Sequence, residues 1–218
     1  MAPAWKTYGA RLIEPGALYN FGNVLGFGAG LAVAMTYTPP AGGDLALGSR
    51  LLAFLAGSLP ALAMTAATLV FFWAGLVYSR AWADGPPPDP QLNRQGDFLS
   101  GIGALFLAAA LFMLGDPVLA ATTGFLHALG KFGSALGGGA GPVAGGLDLG
   151  DLGKDLVLLS RVPAVLTAIT AFRGDLLTTT FLVCCLVWAA ADILLLSPRS
   201  LFRAGYARLW PRRERKTP

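Results

Sequence analysis

An all-α integral membrane fold is predicted from three observations: long uncharged apolar runs, a charged share of only 13%, and a basic C-terminal tail. Soluble domains carry about 25% charged residues, whereas 55% of these 218 residues are hydrophobic. A hydrocarbon layer roughly 30 Å thick asks for about 17–25 apolar residues from a helix that rises about 1.5 Å per residue. Four runs meet that requirement, at residues 17–37, 51–79, 98–114 and 176–197. They read as helices, because lipid offers no partners to backbone groups and the alternation of barrel strands is missing. The chain is thus predicted to be one membrane domain of about four transmembrane helices.

Residues 17–37 follow Lys6 and Arg11, and Ala32-Val33-Ala34 imitates a signal-peptide cleavage site. The long lead, the polar Asn20 and Asn23, and a run long enough to span favour a retained helix. Trp5, Tyr8 and Leu12 ahead of it suggest a short interfacial element. Residues 51–79 exceed the thickness of the layer and are expected to tilt or to kink at Pro60. Residues 98–114 are the shortest run, and residues 176–197 carry one charge, Asp192.

Between the last two runs lies an insertion, residues 115–175. Gly115-Asp116-Pro117 reads as a helix stop, a cap and a first-turn proline, predicting over 117–131 a short second helix or an angled continuation of the third span. Residues 133–150 are glycine-rich and are expected to form a flexible loop. Residues 152–172 have helical periodicity but contain Lys154, Asp155, Arg161 and Pro163, which favours an interfacial or re-entrant helix over a fifth span.

Charge placement orients the chain. The tail, residues 198–218, holds seven basic residues against Glu214, while the whole chain has a net charge of only +4. The positive-inside rule puts this tail in the cytoplasm, and four spans bring the N-terminus to the same side, in a plasma membrane of the bacterial inner-membrane type. The insertion would then be non-cytoplasmic, although it carries Lys131, Lys154, Arg161 and Arg173, against the rule. In the tail, Leu201, Phe202, Tyr206, Leu209 and Trp210 recur at helical spacing. With Arg199, Arg203, Arg208, Arg212 and Arg213 this predicts an interfacial helix on anionic lipid headgroups. A basic segment so close to the last span is better placed for lipid than for nucleic acid.

Small residues form stripes suited to close helix packing, which drives association in lipid. Gly22, Gly26, Gly30 and Ala34 align without gaps on Gly96, Ser100, Ala104 and Ala108, and the second run has Ala53, Gly57, Ala61 and Thr65. The match suggests two repeated helical hairpins, packing on themselves or on another membrane protein. Each run also carries a glycine followed by a small polar residue (Asn23, Ser49, Asp97, Asp175), read as helix-capping chemistry.

Catalytic sets are missing. One histidine, His127, and two adjacent cysteines, Cys184 and Cys185, provide no cluster of donors for a metal or haem, so neither metal nor cofactor is expected. His127 reads as a partly solvated residue, and the cysteines as packing residues. Asp192 resists so plain a reading, since a charge at the bilayer centre costs about 2.5–3.5 kcal/mol. It is expected to face protein or water, in an intramembrane polar cluster with Asn20 and Asn23 that serves interhelical hydrogen bonding or snorkelling first, and contact with an ion, proton or substrate second. The resulting expectation is a non-enzymatic multi-pass subunit, a scaffold or accessory component of a membrane complex. A small transporter or oligomeric channel ranks next. A lipid-acting membrane enzyme, using Asp116, His127, Arg161 and Asp175, ranks third.

Overall fold

The computed structural model describes residues 24–26, 28–29, 49, 53, 59–83, 88–137 and 149–196, and no strand occurs among them. The helices are α1 (Leu59–Ala81), α2 (Pro90–Met113), a single turn α3 (Pro117–Leu119), a π-helical stretch (Ala120–Phe125), α4 (Leu126–Gly137), α5 (Leu149–Thr170) and α6 (Leu176–Leu196). Three are long and apolar enough to cross a membrane: α1, α2 and, over Leu176–Ile193, α6. The first run is described at only five positions, so its span and the proposed hairpin repeat lie outside the described residues, as do the N-terminal element and the tail. Pro60 is the second residue of α1, leaving any kink there at the edge of what is described.

Helix α2 starts eight residues before the expected 98. Its N-cap is Asp89, whose carboxylate accepts from the Gln91 and Leu92 amides at 2.9 and 3.0 Å. Pro90 follows, and its missing N–H is no loss in a first turn. Asp97 is therefore not the cap that its place after Gly96 suggested, but an interior residue of the helix. Asp116 and Asp175 do cap, accepting from Leu119 N at 2.8 Å and Thr178 N at 2.9 Å. Before each sits a glycine with positive φ, Gly115 at 88° and Gly174 at 78°, a conformation that glycine takes at little cost.

The glycine-rich segment departs furthest from expectation. Helix α4 continues through Gly137 and α5 already includes Gly150, so only residues 138–148 of the expected loop lie outside the described residues. The reason is close packing. A Cβ on Gly130 or Gly153 would lie 2.6 or 2.5 Å from the other glycine's carbonyl oxygen, and one on Gly137 would lie 2.1 Å from Gly150 N. The two helices touch backbone to backbone, and glycine is what allows it.

Successive helices are antiparallel neighbours. Tyr78 lies on Gly96, and Phe71, seven residues earlier, lies on Gly103, seven residues later. Phe132 of α4 covers Gly101, and Gly124 of the π-helical stretch abuts Ala108. The insertion is thus built into the bundle against α2. The core is small and tight, with Ala61, Met64, Ala67 and Phe71 meeting Ala104, Leu107, Ala110, Ala128 and Trp188.

Candidate functional site

Four charged residues are buried among the described residues, and they form two opposite pairs. Asp97 of α2 takes three donors. Tyr78 Oη of α1 donates to its Oδ1, Lys131 Nζ of α4 donates to the same oxygen from 3.0 Å, and Ser134 Oγ donates to Oδ2 from 3.1 Å. Lys131 also donates to Tyr78 Oη at 3.0 Å, closing a triangle of three helices. In the second pair, Arg161 Nε of α5 donates to Asp192 Oδ2 of α6. Its guanidinium lies 3.5 Å from the centre of the Trp188 ring, a cation–π contact that strengthens where water is excluded.

His127 lies between the pairs. It stands one turn before Lys131 on α4, so both lie on one helix face, and its neighbours are Phe71, Trp188 and Ser160. Ser160 Oγ donates its one proton to the Val157 carbonyl at 2.6 Å. The 3.4 Å contact between His127 Nδ1 and Ser160 Oγ is then donated by the imidazole. That leaves Nε2 a bare acceptor in the neutral ring, with no hydrogen-bond partner among the described residues.

This chain of ionisable groups crosses the bundle. Asp97 lies roughly 10 Å from the start of α2, and Asp192 roughly 6 Å from the end of α6, at about 1.5 Å per residue. Those two helix ends face the same side, because the chain reverses three times between α2 and α6, which makes the two helices antiparallel. Arg161 and His127 reach deeper. Unpaired, each charge would be expensive in lipid; paired, it binds one helix to the next.

Of the expected polar cluster, Asn20 and Asn23 lie outside the described residues, while Asp192 meets Arg161, whose guanidinium also lies over the ring of Trp188, one turn before Asp192 on α6. His127 is 2% exposed, a correction to the partly solvated residue expected, because the helix carrying it packs inside the bundle. The groups assigned to a lipid-acting enzyme do not converge. Asp116 and Asp175 are exposed helix caps, while His127 and Arg161 are internal. The Asp175 carboxyl is held below the usual carboxylate range chiefly by the Thr178 backbone N–H, as befits a cap.

Of the packing stripes, Ala61, Ser100 and Ala104 are buried, and Ala108 bears on Gly124. Gly26 is buried, its α-carbon facing Cys184 so closely that an added Cβ would lie 3.3 Å from the Cys184 Cβ. Ala53 is exposed and does not pack within this chain. Gly22, Gly30, Ala34 and Gly57 lie outside the described residues, as do Arg199, Arg203, Arg208, Arg212 and Arg213. Among the described residues no group of His, Cys, Asp or Glu could hold a metal. Tyr78, Lys131, Ser134, Ser160 and Trp188 were missed from sequence. Lys131 alone left a signal, as the one charge in the otherwise apolar stretch 117–137. Compared with protein-family models, curated proteins and solved structures, the chain matches none.

Proposed function

We propose that the chain is a small proton-linked membrane transporter in which Asp97–Lys131 and Arg161–Asp192 are the coupling element. Four spans, counting residues 17–37, with both termini in the cytoplasm of a bacterial-type inner membrane, give the minimal frame. One observation supports the reading above all: each buried cation is neutralised by a carboxylate from a different helix. A proton added to Asp192 forms a neutral carboxylic acid and removes the negative charge that neutralises Arg161. A lone charge in a dry interior is costly, so the helices must part, or the guanidinium must take another anion. Proton binding and helix movement are thereby linked.

The test is a pH jump on the full chain in liposomes adsorbed to a solid-supported membrane. A transient current above that of empty liposomes is expected, with at least a tenfold loss in Asp97→Asn/Asp192→Asn. Wild-type currents equal to those of empty liposomes, or unchanged in the double variant, would rule the transporter out. A second reading, a scaffold or accessory subunit without transport, is favoured by the saturation of Asp97 with three donors. It predicts a stoichiometric membrane partner on gentle extraction and no current.

A further inference from the structure

We infer that residues 117–137 and 149–170 form a membrane-embedded helical hairpin whose outer face is covered by lipid acyl chains. This stands apart from the transport reading. On the first limb, from the last residue of the π-helical stretch onward, Phe125, Leu129 and Leu136 are exposed at spacings of four and seven. On α5 Leu159, Val162, Leu166 and Ile169 are exposed at spacings of three, four and three. Both are stripes along one helix face, continuous in character with the exposed Leu69, Phe72, Trp73 and Leu76 of α1.

The charges that disguise the hairpin point the other way. Lys131 and Arg161 are 5% and 3% exposed, and their counter-ions come from α2 and α6, which are themselves apolar enough to span. From residue 156 to its end at Thr170, α5 holds about 15 residues, roughly 22 Å of helix, a shortfall against a bilayer core of about 30 Å that local thinning of the bilayer accommodates. Asp151, Lys154 and Asp155 sit in its first two turns, at headgroup level. One partly exposed hydroxyl on each limb is bonded within its own helix, as contact with lipid asks: Thr122 donates to the Val118 carbonyl at 2.7 Å and Thr167 to that of Pro163 at 2.8 Å.

Embedding also removes the charge anomaly. The first turns of α5 move to the side of Arg80, Arg94 and the basic tail, carrying Lys154 with them, while Lys131 and Arg161 become internal. Arg173 alone among the insertion's basic residues stays opposite. The hairpin adds two crossings, which leaves the two termini on one side.

Single cysteines at Asp151→Cys and Arg173→Cys, exposed positions at opposite ends of α5, test the crossing in the full chain with Cys184→Ala and Cys185→Ala. A membrane-impermeant maleimide is applied to spheroplasts and to inverted vesicles. Each cysteine is expected to label from one side only, and the two from opposite sides; labelling of both from one side overturns the hairpin. A spin label at Leu166→Cys reads the covering. Relaxation by oxygen but not by a water-soluble nickel chelate is expected for acyl chains. Relaxation by nickel, or protection from both, would put water or protein there instead and overturn the assignment.

Discussion

Asp97 shows what a buried carboxylate needs when no water reaches it. Three donors from two other helices surround it, and each is a condition on where those helices sit. Removing the acid alone leaves Lys131 charged and buried, so Asp97→Ala should lower stability by about 3–5 kcal/mol, the usual cost of breaking one side of such a pair. Adding Lys131→Met replaces the ammonium, no longer neutralised by a carboxylate at 3.0 Å, by a flexible apolar chain and should recover most of that loss. Denaturation in mixed micelles measures both, and a double variant as unstable as the sum of the two singles would refute the pairing. This pair was hidden in the sequence. Asp97 followed a glycine at the start of an apolar run and looked like a cap, because nothing local distinguishes a capping carboxylate from an interior one whose partners lie dozens of residues away.

Among the elements, α4 and α5 set glycine against glycine backbone, where α2 receives the aromatic rings of α1 and α4 over its glycines. At Gly153 an added methyl meets the Gly130 carbonyl and the Ser134 amide, both at 2.5 Å, and backbone atoms cannot swing aside. Gly153→Val should therefore separate the limbs and destabilise the protein by about 1–3 kcal/mol or more. Faster amide exchange across 126–137, with α1 unchanged, would register it. A change spread evenly over all helices would argue against a local contact. Helices made of uninterrupted apolar residues were legible: the run at 176–197 corresponds to α6 (Leu176–Leu196). The start of α2 was not, although Asp89-Pro90 is a capping pair, since a search for uncharged runs discards the turns holding Arg94 and Asp97.

Across the whole molecule, the inner charges of the hairpin cancel only when α2 and α6 are present, so its insertion is a property of the assembled bundle. A chain ended after Arg173 lacks Asp192, the carboxylate that neutralises Arg161, and a charge not neutralised costs about 2.5–3.5 kcal/mol in mid-bilayer. Rapid proteolysis of that truncated chain is expected, slowed several-fold by Arg161→Leu; equal lifetimes for the two would show that the arginine imposes no burden. Such compensation is pairwise and distant along the chain, which is why composition and periodicity revealed the greasy helices and concealed the charged ones. The π-helical stretch Ala120–Phe125 adds one more consequence. A wide turn amounts to one extra residue slipped into an α-helix, and at 3.6 residues per turn one residue is about 100° of rotation. Deleting a single alanine there would dial everything downstream through that angle, swinging the lysine out of phase with its aspartate. The odd turn acts as the indexing notch that sets which way the rest of the rod faces.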